Sequence, residues 1–99
     1  MPYMIRTYDK PDVVELRAAN RPAHLTYLRS YTARILAAGG FQNDDGSVGK
    51  GGMIILDTED RAAAEQLIAN DPFNIAGVFE KVEIARWRKV FFNGTDLSL

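Results

Sequence analysis

Residues 34–58, RILAAGGFQNDDGSVGKGGMIILDT, decide the fold because they predict two neighbouring strands with only a loop between them. The apolar run at residues 53–58 is typical of a buried strand. Residues 34–41 fit either a strand or the end of the preceding helix, and we favour a strand that begins near Arg34. The Asp-Gly pair and the dense glycines of residues 42–52 predict the loop.

The N-terminal part of the chain predicts one strand followed by a split helix. Residues 2–8, PYMIRTY, are rich in aromatic and β-branched side chains, which favour a strand. Pro11 suits the start of a helix, and residues 12–19 continue that helix. Residues 20–22 predict a break, after which a longer helix runs over residues 22–32.

The C-terminal part predicts a helix and then a long strand. Thr58 is expected to cap a helix that runs through Ala69, and Asp71-Pro72 ends this helix and opens a further turn. Residues 77–92 alternate as a strand does. The resulting order β-α-β-β-α-β describes the ferredoxin-like α+β fold, in which an antiparallel four-stranded sheet carries both helices on one face.

Composition limits the classes of function. Ninety-nine residues predict one domain, with a core at about residues 3–92 and a C-terminal tail at 93–99. The net charge of -1 argues against a nucleic-acid partner. No apolar run approaches the roughly 18–20 residues of a membrane span, so we expect no membrane association. The absence of cysteine excludes thiolate nucleophiles and fits a cytoplasmic location.

The sheet face away from the helices predicts a homodimer. This face is expected to carry apolar side chains, namely Tyr3 or Met4, Ile54 or Ile55, Phe79 and Trp87. Because an apolar face of this size is rarely left to water, two subunits are expected to pack sheet to sheet, with the C-terminal tail reaching across.

The glycine-rich loop does not meet the requirements of a known binding motif. A phosphate-binding Walker loop needs glycine where Asp44 stands and serine or threonine where Gly51 stands. An EF-hand calcium loop beginning at Asn43 would need an acid near Ile54 or Ile55. One histidine and no cysteine leave little from which to build a transition-metal site. We therefore expect neither a metal nor another cofactor.

His24, in the stretch RPAHL at residues 21–25, is the only histidine. At the start of the second helical segment, the helix dipole would disfavour a charged imidazole. A neutral imidazole can accept a proton, as a general base must. Tyr27 shares its face and would form a pocket wall. The alternative is that His24 is a partly exposed residue stacked on Tyr27 or Leu28.

Asp71 also admits two interpretations. Aspartate before proline is typical of a helix N-cap, where the carboxylate accepts a free backbone N–H. Alternatively, Asp71 holds the imidazole N–H of His24 and fixes its tautomer, as carboxylates do in catalytic dyads. In a ferredoxin-like fold the two residues can meet at one sheet edge.

Other residues are candidates for contact with a small-molecule ligand. Arg21 and Arg34 could bind an anionic group, although surface arginines are common. Gly77 could let a ligand approach the backbone, although turn geometry explains it as well. Phe73 and Tyr27 complete the set that we assign to substrate binding.

Three segments resemble the YCII-related domain family: RPAHLTYL at 21–28, AAGG at 37–40 before an Asp-Gly loop, and AAAEQLIANDPFNIAGVFEKVEIARW at 62–87. The resemblance covers roughly residues 3–92. It implies a ferredoxin-like fold in a dimeric α+β barrel and a site centred on His24 and Asp71. Members of the family often carry proline after the glycine of the second strand, whereas Gly40-Phe41 stands here.

The resemblance implies a cofactor-free enzyme in which His24 is the acid/base and Asp71 orients it. Some relatives are implicated in dehydrochlorination of chlorinated hydroxyquinol-type aromatics, so a phenolic or chlorinated aromatic substrate is the implied class. Two alternatives stay open. One is a non-catalytic ligand-binding or assembly dimer, and the other is a cofactor-independent oxygenase of the wider dimeric-barrel group.

Overall fold

The four main strands form one antiparallel sheet in the order β2-β3-β1-β4 in the computed structural model, which describes residues 1–98. The elements are β1 Tyr3–Asp9, α1 Val14–Arg29, β2 Ile35–Gln42, β3 Val48–Leu56, α2 Arg61–Ala69, α3 Pro72–Ile75, β4 Phe79–Arg86, β5 Phe91–Phe92 and β6 Thr95–Asp96. Apart from the short α3 and the C-terminal pair β5-β6, this is the predicted ferredoxin-like β-α-β-β-α-β order. The α+β fold class is confirmed.

The core lies between the sheet and α2. Alternate residues of β1 and β3 point to the helix side, and α2 buries one apolar stripe against them. The cluster consists of Tyr3, Ile5, Ile54, Leu56, Ala64, Leu67 and Ile68. The N-cap of α2 is Asp60, whose side chain accepts the N–H of Ala62, and not Thr58 as predicted. The predicted end of α2 at Ala69 is confirmed.

The predicted break in the first helix is wrong. α1 runs without interruption from Val14 to Arg29 and contains Pro22. Proline removes one helical hydrogen bond and crowds the preceding turn, but good helix formers on both sides and packing against α3 hold the helix together. The start near Pro11 is also wrong, since Asp12 has a left-handed φ of 59° that no helix admits.

The continuous helix gives His24 a different position from the predicted one. It lies in the second half of one long helix and not in a first turn, so the argument from the positive end of the helix dipole does not apply to it.

The predicted loop at residues 42–52 is too long. Both strands extend into it, and only residues 43–47 connect them. The extra glycines are explained by close strand packing, because a Cβ on Gly52 would stand 2.6 Å from the carbonyl oxygen of Gly39. Gly51 has a φ of +107°, and a Cβ there would collide with the carbonyl of Thr7.

The strand at the C-terminal end is shorter than predicted. β4 ends at Arg86, and residues 91–96 form a hairpin in place of the end of that predicted strand and the first part of the predicted tail. Its turn is Asn93-Gly94, both with positive φ, which is the commonest sequence for a two-residue hairpin turn. No helix within residues 1–98 is long and apolar enough to span a bilayer.

The two faces of the sheet carry different side chains of β1 and β3. Tyr3 and Ile54 belong to the helix-side core, so Met4 and Ile55 lie on the opposite face. A bulge in the β1-β4 register brings Phe79 to the helix side, where it packs against the core. The expectation that Phe79 lies on the opposite face is therefore wrong. Trp87 follows the end of β4, and its N–H donates to the carbonyl of Pro2.

Candidate functional site

A cavity of about 440 Å³ lies between α1 and the β2-β3 half of the sheet. It exists because α2 packs on β1 and β4, whereas α1 packs mainly on α3 and has no fully buried residue. Gly40 and Gly52 line the sheet side and add no side-chain bulk. The volume is in the range of small-molecule sites.

His24 and Asp71 meet on the wall of this cavity. The imidazole Nδ1 lies 2.8 Å from Oδ1 and 3.0 Å from Oδ2 of Asp71. The Asp71 side chain is completely buried, while 15% of the His24 side chain is exposed. Since a carboxylate can only accept hydrogen bonds, Nδ1 carries the proton of this contact, and in the neutral imidazole Nε2 is then the nitrogen that can accept a proton.

Asp71 is also the N-cap of α3. Its Oδ1 accepts the backbone N–H of Phe73 at 2.9 Å, and Pro72 occupies the first helical position. The two interpretations of Asp71 are therefore compatible, because one carboxylate both caps α3 and binds the imidazole. The cap holds the carboxylate at the position where it meets the imidazole.

Phe73 forms a platform beneath the basic side chains of α1. The imidazole of His24 stacks on its ring with centroids 3.9 Å apart and an angle of 14° between planes. The guanidinium of Arg17 lies 4.5 Å from the centroid of the same ring, in cation–π contact. Phe79 touches the ring edge-on and completes the buried aromatic group.

Arg17 pairs with a second buried carboxylate, that of Asp9. The Nη1 to Oδ2 distance is 3.5 Å, which is an ion pair but longer than a good hydrogen bond. Arg17 Nη1 and Asp9 Oδ1 are both inaccessible to solvent and have no hydrogen-bond partner among residues 1–98. Burial raises the pKa of the Asp9 carboxyl above its usual 3.8, and the neighbouring Arg17 opposes that rise.

The cavity brings together four of the residues singled out in the sequence: His24, Asp71, Arg21 and Phe73. The other three do not line it. Tyr27 donates its hydroxyl to the carbonyl of Leu67 at 2.8 Å, and burial raises its pKa. Arg34 is exposed just before β2.

Gly77, the third residue outside the cavity, ends α3. It has a φ of +87°, and the N–H groups of Gly77 and Val78 bond back to Asn74 and Phe73. This is a Schellman motif, for which glycine is the preferred residue. Its role here is to turn the chain from α3 into β4.

The sequence reasoning missed Arg17 and Asp9. Arg17, Arg21, His24 and Leu28 follow a spacing of four, three and four residues, which places them on one helical face. The predicted break at residues 20–22 concealed this signal by separating Arg17 from His24. Asp9 gave no signal, because an aspartate at a strand end resembles an ordinary turn residue. Within residues 1–98 no three histidine, aspartate or glutamate side chains come together as metal ligands would.

Comparison with protein families and with known sequences identifies relatives of this chain. The model of the YCII-related domain matches residues 1–88. Protein YciI of Escherichia coli O6:H1 is 38% identical over 98 positions, which cover 92% of this chain and all of the relative. An uncharacterized protein of Haemophilus influenzae is 34% identical over the same shares.

Among solved structures, a similar one is a 5-chloro-2-hydroxyhydroquinone dehydrochlorinase from Burkholderia phenoliruptrix AC1100 in complex with 2,5-dihydroxybenzoquinone. It is 30% identical, with a TM-score of 0.81 over 89% of this chain and 94% of the other. The family model spans most of the sequence, and two relatives match nearly end to end. The chain therefore belongs to the YCII-related domain family.

Proposed function

We propose that this protein is an acid/base enzyme that acts on a small hydroquinone-type or phenolic aromatic, with His24 as the proton-transferring group. The observation that carries the proposal is the 2.8 Å contact between His24 and Asp71 on the wall of a cavity of ligand size. Asp71 orients the imidazole and fixes its tautomer. Nε2 is then the atom that exchanges a proton with a bound molecule.

The reaction class that fits these groups is elimination of hydrogen chloride from a chlorinated hydroquinone. His24 Nε2 accepts a proton from the substrate, and chloride departs with the electron pair of its bond to carbon. The hydroquinone is thereby converted to a quinone without an external oxidant. Asp71 stabilises the imidazolium formed in this step, as a paired carboxylate does in other histidine dyads.

The walls of the cavity favour a flat apolar ring. Leu25, Leu28 and Ile54 line it together with Phe73 and Phe79. Apolar walls with a few placed polar groups are typical of small-molecule sites. The similarity to the dehydrochlorinase supports this substrate class, since that protein was solved with a dihydroxybenzoquinone bound.

Chloride release tests the proposal. The wild type and His24→Gln are incubated with 5-chloro-2-hydroxyhydroquinone under exclusion of oxygen, and free chloride is measured. Tyr27→Phe is the matched control, because Tyr27 lies on the same helix but does not line the cavity. We expect turnover in the wild type and Tyr27→Phe and a loss of about 10²–10⁴ in kcat for His24→Gln. Equal turnover by His24→Gln, or quinone binding without turnover of any chlorinated hydroquinone, would contradict an enzymatic role.

We also propose that the sheet face opposite the helices binds a second copy of the chain. Arg6 lies on this face, with its guanidinium 4.1 Å from the ring centroid of Tyr8 and 4.0 Å from that of Phe41. Phe41 is 42% exposed and Met53 is 36% exposed. Large apolar groups beside a cation held between two rings are typical of an interface.

Light scattering after size-exclusion chromatography tests the dimer. Met53→Glu should shift the protein toward a monomer, because it buries a charge in the proposed interface. Ile75→Glu is the control, since Ile75 is 73% exposed on α3, away from the open sheet face. A wild type that is monomeric at micromolar concentration would overturn the proposal.

A further inference from the structure

We propose that Arg17, positioned by Asp9, binds an ionised oxygen of the substrate and makes the site selective for aromatics that carry an acidic hydroxyl. The inference rests on the proposed function, since it assigns a substrate class to the same cavity. It concerns a residue two turns of α1 before His24, which is about 10 Å along the helix axis.

Arg17 is a cation in the cavity wall with unused hydrogen-bonding capacity. Its side chain is 17% exposed, and its Nη1 has no hydrogen-bond partner within residues 1–98. A guanidinium has five N–H donors and stays charged at any physiological pH. A buried donor without a partner is unfavourable, so a ligand oxygen that gives this guanidinium a further partner gains binding free energy.

Asp9 and Phe73 fix where the guanidinium lies. Asp9 holds Nη1 at 3.5 Å without satisfying it, and the guanidinium carbon lies 4.5 Å from the ring centroid of Phe73. Nη2 lies above Gly40 on the cavity floor, 3.4 Å from where a Cβ would stand. The absence of a side chain at Gly40 therefore gives both Arg17 and a ligand oxygen room at this point.

The charges of the lining favour an anion. Arg17 and Arg21 contribute two guanidinium groups, whereas Asp71 contributes one carboxylate that is already engaged by His24 and the cap of α3. Arg17 and His24 both contact the ring of Phe73. An aromatic ring in the cavity can thus place one ionised oxygen at Arg17 while His24 exchanges a proton elsewhere on the same ring.

Two quinones separate ionic binding from simple ring binding. 2,5-Dihydroxybenzoquinone is a vinylogous acid that is ionised at neutral pH, while 2,5-dimethoxybenzoquinone has the same ring and no acidic proton. Calorimetry gives the Kd of each probe for the wild type and for Arg17→Gln. We expect Arg17→Gln to bind the dihydroxy probe about tenfold or more weakly and the dimethoxy probe within about twofold of wild type.

Two glycine variants repeat the test without replacing Arg17. Their result therefore does not depend on whether Arg17→Gln folds. A methyl group on Gly40 would contact Arg17 Nη2 at 3.4 Å and fill the space that a ligand oxygen would use there, whereas one on the adjacent Gly39 would meet no atom within 4 Å. Gly40→Ala should therefore weaken binding of the dihydroxy probe selectively, and Gly39→Ala should not. Equal Kd ratios for the two probes in wild type, Arg17→Gln and Gly40→Ala would overturn the proposal. That result would leave the chloride-release test of His24 untouched, so the two failures are distinguishable.

Discussion

The carboxylate of Asp71 binds two groups at once: His24 Nδ1 at 2.8 Å and the backbone N–H of Phe73 at 2.9 Å, both through Oδ1. One buried side chain therefore fixes a helix start and a histidine tautomer. The histidine comes from α1 and the cap from α3, so the contact also joins two elements that are distant in sequence. Loss of this carboxylate should lower both the stability of the fold and the activity of the site.

Replacing Asp71 by Asn should separate these two effects. The amide oxygen of Asp71→Asn can still cap α3, but it lacks the charge that stabilises an imidazolium. We expect a fall in kcat of about 10²–10⁴ with a smaller loss of stability, measured by chloride release and thermal melting. Asp60→Asn is the matched control, since Asp60 caps α2 in the same way but is exposed and outside the cavity. Comparable kcat losses in both variants would show that capping alone explains Asp71.

Tyr27 should behave as a structural residue. Tyr27→Phe removes its hydrogen bond to the carbonyl of Leu67 and should lower the free energy of unfolding by about 0.5–1.5 kcal/mol. Urea unfolding measures this change, and calorimetry with 2,5-dihydroxybenzoquinone measures binding. We expect the Kd of the folded variant to equal that of the wild type. A selective loss of affinity would place Tyr27 among the substrate contacts after all.

Ionisation of Asp9 should lower the free energy of unfolding as the pH rises, whereas a carboxyl group with a lowered pKa would raise it. Its pKa is raised in the folded state, mainly by burial and against the attraction of Arg17 and Arg6, so its ionised form disfavours folding. This penalty is absent below the ordinary value of 3.8 and complete once the pH exceeds the raised folded pKa. Asp9→Asn should therefore unfold at a higher temperature than wild type at pH 7, with the difference vanishing toward pH 3.8.

The experiment on Asp9 has a second readout. Because Asp9 positions Arg17, the same variant should bind 2,5-dihydroxybenzoquinone more weakly while its stability rises. Melting curves from pH 3 to 8 and a Kd at pH 7 provide both quantities. A variant that is less stable than wild type at pH 7, with the deficit vanishing toward pH 3.8, would show that the ion pair, and not the burial of the carboxyl, dominates.

Gly51 should tolerate no side chain. Its φ of +107° is unfavourable for other residues, and a Cβ would collide with the backbone of Thr7 in the adjacent strand. Gly51→Ala is expected to cost more than about 1–2 kcal/mol of stability, which is the conformational penalty alone. Gly39→Ala in the neighbouring strand is the control, because its methyl group would meet open space. Similar unfolding midpoints for the two variants would contradict this strand geometry.

Much of the fold was predictable because the strongest signals were local. The apolar run of β3 and the Asp71-Pro72 boundary predicted their elements correctly. Pro22 misled the prediction, since its local cost is overcome by the packing of α1 on α3, which is a tertiary effect. The loop was overestimated because glycine marks both turns and crowded strands, and only the structure shows that Gly52 belongs to the second kind.

The site was predictable only in part. His24 and Asp71 stand out as the lone histidine and an Asp-Pro cap, and the family resemblance joined them. Arg17 was missed because the assumed break removed it from the face of His24. Asp9 was missed because its burial and its partner depend on how β1 lies beneath α1, and no local pattern encodes that arrangement.

The most direct test of the central claim is the kcat for chloride release from 5-chloro-2-hydroxyhydroquinone by wild type and His24→Gln, measured at saturating substrate. If His24 exchanges the proton, kcat should fall by about 10²–10⁴ while binding of 2,5-dihydroxybenzoquinone changes little. If wild type and His24→Gln release chloride at the same rate, or if neither releases any, the His24–Asp71 pair is not the acid/base centre of a dehydrochlorinase.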